Sequence, residues 1–581
     1  MFACIIICNI IFGQVGINTS TPRGVLDVFS PQKNQGMVLP SVLNIEEIID
    51  PQTNSTDVPL GTMAYDLGRD AICIKFNNVW QCTSANGQVE NIQPGYRPFS
   101  PNYTYIKGSI NYADLKLGNS VSFSDNGTLL AVGAIGDKGS SSGVAATQSN
   151  DGLTAVGAVF IFRRTGDTWQ QENYIKASNP RANGSFGGVV RLSGDGSTLA
   201  VGSAGETGGS AGINGDQSSA NLNTAGAVYV FKRTANGSWE QEAYVKASNA
   251  RANSYFGSTV SLSKDGSVLA VGANEESSNA KGINGDQSNQ SLTRAGAVFV
   301  FKRTNGNWVQ DAYIKASNTS AQAQFGSGVS LSSDGKKLAV SSPLESSNAV
   351  GINGNEANTS ANYAGAVYIF SDNNGSWSQE AYIKASNTKA DQRFGDGIYL
   401  SGDGTTLAVG APLEKSNATG VNGIQTNTSL NYAGAVYIFR NENGQWSQEA
   451  YIKASNTRAS AQFGSEVTLS RDGSVLAVTA LGESSNATLI NQNQANTSMA
   501  WSGAVYVFKR INNNNWEQEA YVKASNTNAN SYFGTGISLN ATGSMLAIGS
   551  SWENSSSTGI NGNQTDLTVA KSGSVYVTRR E

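Results

Sequence analysis

The chain has 581 residues, 43 of them Asp or Glu and 39 Lys or Arg, so charged side chains make up 14%, against about 25% in an average globular protein. It contains no His, which excludes Ser-His-Asp and Cys-His catalysis and every His-ligated metal site. A net charge of −4 supplies no basic field for nucleic acid or anionic lipid, and neither is expected as a partner.

In chain order, residues 2–12 form an apolar run of signal-peptide length, too short to span a bilayer, so residues 1–14 read as an export leader that would carry Cys4 and Cys8 away. No later stretch reaches transmembrane length. Residues 15–90 read as a small β-rich module and residues 91–102, with Pro94, Pro98 and Pro101, as a linker. Within the module, a two-residue turn at Asn77-Asn78 sets Phe76 opposite Val79 and Cys73 opposite Cys82. That register predicts a Cys73–Cys82 disulfide in an exported protein, against two free buried thiols in a cytosolic one.

Residues 103–581 repeat with a period of 69 or 70. Phe-Gly recurs at Phe186, Phe256, Phe325, Phe394, Phe463 and Phe533, with Leu117-Gly118 one period earlier, giving seven copies. In each, two apolar-alternating runs flank a turn such as Asp265-Gly266, which predicts a hairpin with a type I′ turn. About twenty polar residues follow, then a third run (Gly296 to Arg303 in one copy) and a fourth (Trp308 to Lys315). Four antiparallel strands per copy are the unit of a β-propeller blade. The last copy stops after its third run, Gly573 to Val577, whereas an orphan fourth run, Tyr105-Ile106-Lys107, precedes the first hairpin. These complementary ends predict an all-β, seven-bladed propeller closed by an N-terminal strand, because an open stack would leave two exposed edges.

Phe394-Gly395 followed by Val409-Gly410-Ala411-Pro412 resembles the FG-GAP repeats of the integrin α-chain propeller and its bacterial relatives. The resemblance covers residues 103–581 and implies an extracellular propeller for adhesion and for protein or glycan recognition. Val15-Gly16-Ile17-Asn18-Thr19, Pro22 and Leu26-Asp27-Val28 resemble a leader module of bacterial surface and tail-fibre-like proteins. Integrin-like repeats hold calcium on several carboxylates in the first hairpin. Here the corresponding positions are Arg191, Ser193 and Asp195 in one copy and Ser261, Ser263 and Asp265 in another, so one carboxylate per turn argues against bound calcium. No cofactor is expected.

Asp137, Glu206, Glu276, Glu345, Glu414, Glu483 and Glu553 open the long loops at equivalent positions. Each either orders its own loop or contributes to a cation or ligand site on one face of the disc; seven equivalent carboxylates do not make an acid/base pair. The lysines of Tyr-Ile-Lys follow an acidic residue by four in six copies (Glu172, Glu242, Asp311, Glu380, Glu449, Glu519) and are expected to face it on an outer strand. Trp169, Trp239, Trp308, Trp377, Trp446 and Trp516 are expected to cover blade edges. The long loops vary most, with Asn214, Asp216, Asn284, Asp286, Asn353 and Asn422 as candidate binding residues. Three functions stand open: an exported, non-enzymatic adhesion propeller binding a protein or glycan through the long-loop face, a carboxylate-based carbohydrate-active enzyme, and a structural surface-layer or fibre component. The enzyme would require unrepeated acidic residues in the central channel.

Overall fold

The computed structural model describes residues 98–511 and 515–580 and, in the N-terminal part, residues 15–17, 26–28, 41–42, 62–66, 71–76, 79–84 and 89–92. The expected leader, with Cys4 and Cys8, lies outside the described residues. Two compact units meet between Arg97 and Pro98. Among the described residues no helix is long and apolar enough to cross a membrane.

The N-terminal unit holds a five-stranded sheet in the order Ser41–Val42, Met63–Asp66, Ala71–Phe76, Val79–Ser84, Val89–Ile92. Phe76 pairs with Val79 and Cys73 with Cys82. The two cysteines lie 4.0 Å apart at Cα and are joined by a disulfide, as the hairpin register requires. Val15–Ile17 and Leu26–Val28 form a separate parallel pair.

The second unit is a seven-bladed β-propeller of four-stranded antiparallel sheets. Blade 3 shows the pattern with Thr259–Leu262, Val268–Ala273, Ala297–Thr304 and Asn307–Ile314. The seventh sheet takes its outer strand, Thr104–Ile106, from before the first blade. Tyr105 pairs with Tyr576 and Ile106 with Val575. The seam reaches further, with Phe99 bridging Arg580 and the Ser100 N–H donating to the Arg579 carbonyl at 2.8 Å.

Apolar packing lies between blades. Seven clusters form, one per junction; that between blades 3 and 4 joins Val298, Val300 and Ile314 to Leu338, Tyr368 and Phe370. Phe325 meets Tyr368 edge-on with ring centroids 5.3 Å apart, an arrangement favoured by the aromatic quadrupole. The repeated glycines serve the same junctions. Gly296 and Phe325 bridge in parallel, and a Cβ on Gly296, at φ +83°, would stand 2.0 Å from the Phe325 carbonyl oxygen.

The first hairpins differ from the type I′ expectation. The Asp of Asp-Gly keeps a negative φ and only the Gly is left-handed, as at Gly266 (φ +66°). The loop holds four residues, because the Ser263 N–H bonds to the Val268 carbonyl and the Gly266 N–H returns to Ser263 O. Asp265 Oδ1 accepts from the Ser263 hydroxyl at 2.7 Å and the Ser267 N–H at 3.0 Å. Asp is needed here to accept local bonds rather than to reach a positive φ.

These turns also tie the ring together. Main-chain N–H groups of Asp125, Asp195, Lys264, Ser333, Gly402, Arg471 and Ala541 each donate to a carbonyl in the next blade, the last returning to Asp125. Seven bonds thus complete a circuit around one end of the axis.

Candidate functional site

All seven loop-opening acids are buried, at 0–2% exposure. Each meets the lysine of its own blade's Tyr-Ile-Lys or Tyr-Val-Lys: Asp137–Lys176 at 2.5 Å, Glu206–Lys246 at 2.7 Å, Glu276–Lys315 at 2.9 Å and Glu345–Lys384 at 2.7 Å. Glu414–Lys453 and Glu483–Lys523, both at 2.8 Å, and Glu553–Lys107 at 3.1 Å complete the set. The carboxylates also take the N–H two residues on, as Glu345 does from Ser347 at 2.9 Å, and an Asn from the preceding blade, as Glu345 does from Asn318 at 3.0 Å. Burial lowers the proton affinity of the lysines, with the neighbouring carboxylate opposing. At the seam Ile110 stands where the Asn would be, and Asp137 instead accepts from the Tyr112 hydroxyl at 3.0 Å. The geometry makes each acid a latch between a long loop, its own outer strand and a neighbouring blade.

The lysines therefore do not face the acids four residues earlier. A β-bulge at those acids, between the pairs Val300–Ala312 and Phe301–Gln310 in blade 3, puts them out of step with the lysine. They serve the blade edge instead. Glu242 binds Arg303 at 3.1 Å and accepts from the Trp308 indole at 2.9 Å, and Asp311 accepts from Trp377 at 2.7 Å. The six tryptophans are buried, as edge covers should be.

The loop asparagines have local partners too. Asn214, Asn284, Asn353 and Asn422, at φ +53° to +55°, each accept at Oδ1 from a tyrosine N–H at 2.9 Å. Their own N–H groups return to the same tyrosines' carbonyls. The residue before each pairs with the outer strand, as Ile283 does with Ile314, so every long loop folds back over its own blade. Asp216 and Asp286 each accept the N–H two residues on at 2.8 Å, in exposed Asx turns.

A different set of side chains varies on this constant frame. The residue before each Val-Gly, Ala-Gly or Ser-Gly that opens a third strand is left-handed in all seven blades: Ala155, Thr224, Arg294, Tyr363, Tyr432, Trp501 and Lys571. So is the residue before each Phe-Gly or Leu-Gly: Lys116, Ser185, Tyr255, Gln324, Arg393, Gln462 and Tyr532. The two rows bond to each other, as Tyr255 N–H to Thr224 O at 3.0 Å and Arg393 N–H to Tyr363 O at 3.0 Å. Residues preceding the latch acids join them. Glu275 pairs with Arg294 at 2.5 Å and accepts from Gln324 at 3.1 Å, and Trp552 meets Tyr532 with centroids 4.8 Å apart. Tyr255, Tyr363 and Tyr432 are 37%, 45% and 44% exposed. Left-handed backbone at tyrosine, arginine and tryptophan is costly, and a rigid frame that holds it presents fixed side chains. This rim of the long-loop face is not evident from the sequence, where its positions show only as variable residues beside the recurring Gly and Phe-Gly.

The first strands line a polar central cavity of about 130 Å³. Ser122, Ser261, Ser330 and Ser538 accept N–H bonds from neighbouring blades at 2.9–3.0 Å, and Arg191, Tyr399 and Thr468 replace this serine in the other three blades. At the hairpin end the Arg471 guanidinium crosses the axis to Asp125 and Ser333. At the Phe-Gly end two further unrepeated acids, Asp396 and Glu466, stand on adjoining first-strand segments. Crowding by the channel wall pushes Glu466 up to about 7, opposed by Arg191 and reinforced by Asp396, although the residue stays exposed to channel water; burial raises Asp396 to about 6, opposed by Arg393 at 3.6 Å. An ordinary glutamate titrates near 4.5, so the folded chain holds the extra proton between pH 4.5 and 7, and stability falls as pH rises through that window. Glu466→Gln should flatten this loss and raise stability at pH 8 by about 1 kcal/mol, a value reduced because channel water reaches the side chain. Urea denaturation at pH 5 and 8 checks it. Among the described residues no group of three or more acidic or thiol side chains could hold a metal.

The FG-GAP repeat family matches residues 239–301. No curated protein sequence matches the chain. Solved structures with a similar outline include a periplasmic gluconolactonase of Pseudomonas aeruginosa, at 13% identity and TM-score 0.40 over 78% of this chain and 93% of that one. The WD40 repeats of RRP9 align at 9% identity and TM-score 0.43 over 84% and 99%. Likeness at this level adds nothing to the strand pairing and says nothing of activity. The chain carries an FG-GAP repeat within a seven-bladed β-propeller.

Proposed function

We propose that the protein is an exported, non-enzymatic recognition and adhesion propeller that binds a protein or glycan through the long-loop face. The observation that supports this reading is the rim: a hydrogen-bonded frame repeated in every blade, carrying side chains that differ from blade to blade. Symmetry explains the frame, whereas the exposed tyrosines Tyr255, Tyr363 and Tyr432 differ from the residues at the same positions in other blades. The N-terminal disulfide suits an oxidising compartment. Surface display follows from the resemblance to adhesive propellers.

Tyr255→Ser, Tyr363→Ser and Tyr432→Ser combined should abolish binding on a glycan and host-protein array while the melting temperature moves by less than about 3 °C, since single exposed-site changes cost within about 0.5 kcal/mol. Binding unchanged both in this variant and in Trp552→Ala would refute the face assignment. A carboxylate-based carbohydrate-active enzyme is the second reading, favoured by one observation: Glu466, which lines the channel, and Asp396, on the adjoining blade, are unrepeated acids with raised proton affinity. Glycan turnover that disappears in Glu466→Gln would install that reading in place of the first.

A further inference from the structure

The rim is chemically uneven. In blade 3 its charges are consumed internally, Glu275 with Arg294 and Gln324. Where blades 4 and 5 meet, Arg393 turns to Asp396. Where blades 6, 7 and 1 adjoin, the rim instead assembles three aromatic rings and two lysines. Trp501 and Tyr532 lie 5.6 Å apart at 32°, and Tyr532 and Trp552 4.8 Å apart at 60°. All three are only half-buried. The Lys571 ammonium sits 4.2 Å above the Trp552 ring. Lys116 is tied to the same place, its N–H donating to the Lys571 carbonyl at 3.0 Å. Both lysines are partly exposed, and among the described residues neither forms an ion pair, even with Asp114 two positions before Lys116.

We infer that this sector binds an anionic saccharide, an inference that rests on the recognition reading above. Tilted, partly solvated indole and phenol faces offer C–H/π contact to pyranose rings, which present an apolar face and a polar rim. The ammonium groups of Lys116 and Lys571, without a carboxylate of their own, supply the charge that a uronate carboxylate or a sulfate ester would meet. Trp501, Tyr532, Lys571 and Lys116 all hold left-handed backbone, so the main chain that carries them is set before a ligand arrives. Lys138 lies over the Tyr112 ring, 5.5 Å from its centre, and donates to the Ala113 carbonyl at 3.2 Å.

The test titrates the full chain, followed by tryptophan fluorescence and calorimetry, with tetragalacturonate, a sulfated heparin-derived tetrasaccharide, neutral cellotetraose and a poly-Glu peptide. One or both anionic sugars should bind at least about tenfold more tightly than cellotetraose, and the stronger of the two identifies carboxylate or sulfate as the group recognised. Trp552→Ala should weaken that binding about tenfold or more, with Trp552→Phe restoring most of it. Lys116→Gln with Lys571→Gln should weaken it by a similar factor and flatten its salt dependence. Equal binding of the neutral sugar, equal binding of poly-Glu, or no fluorescence change with any saccharide would each overturn the inference. If array ligands nonetheless bind and are lost in the Tyr255/Tyr363/Tyr432 variant, the recognition reading stands and this sector assignment alone falls.

Discussion

Glu345→Gln is expected to destabilise the propeller by about 3–5 kcal/mol, although the glutamate opens a long surface loop. The loss arises at Lys384, which is 0% exposed and 2.7 Å from the carboxylate. With the acid gone a buried ammonium is left without its counter-charge, and removing one member of a buried pair costs far more than removing both. The double variant Glu345→Gln, Lys384→Met should therefore recover to within about 2 kcal/mol of the parent. A pH signature separates this from a packing defect. Burial already depresses the proton affinity of Lys384, and without Glu345 it falls further below that of an unfolded lysine, so the defect should shrink as pH rises towards 10. Guanidinium denaturation at pH 7 and 9.5 measures both effects. A single-variant loss below about 1 kcal/mol would mean that water reaches Lys384 and that the latch is decorative.

Removing residues 98–107 should have the larger effect and prevent folding to a monomer. The deletion uncovers the edge of Ser574–Arg579 and removes Tyr105, whose ring lies 5.2 Å from that of Tyr576, and it strips Lys107 from Glu553. A buried aromatic and a buried counter-charge are each worth about 3–5 kcal/mol, together comparable to the entire stability of a typical domain. The bared edge should recruit a second chain. Placing the deleted segment after Arg580 through a two-residue Asn-Gly turn should restore a monomer, because every other blade already receives its fourth strand in that order. Size-exclusion chromatography with light scattering, beside thermal unfolding, distinguishes the outcomes. A monomeric, cooperatively folded deletion variant would show that the seam does not hold the ring.

The contrast between these two sites explains what could be read from the chain beforehand. Blade number, strand order, the seam and the Cys73–Cys82 pairing all follow from counting, because register and period survive any detail of side-chain placement. The lysine partners did not follow from counting. An i, i+4 rule assumes unbroken alternation, and the bulge at Glu242, Asp311 and their equivalents breaks it. Yet the seven acids and seven lysines recur in step, and that shared phase was a usable signal. The hairpins were misjudged for a related reason: Asp-Gly suits both a type I′ turn and a wider loop with an Asx bond, and the neighbouring Ser263 hydroxyl decides between them. Least legible was the rim. Nothing in Tyr363, Arg393 or Trp501 announces left-handed backbone; it is imposed by the parallel approach of successive blades around glycines such as Gly296.

The seam also determines how the molecule would bear force. Were the proposed adhesin held through its N-terminal module, tension would meet the wheel first where Phe99 and Ser100 join Arg580 and Arg579, then along Thr104–Ile106. That strand lies antiparallel to Ser574–Arg579 and is bolted at its far end by Lys107 and Glu553. A pull that peels it off opens bonds one after another, whereas a pull along its axis loads them together and ends on a buried ion pair. The direction of anchorage would thus decide whether the seventh blade behaves as a zipper or as a rivet.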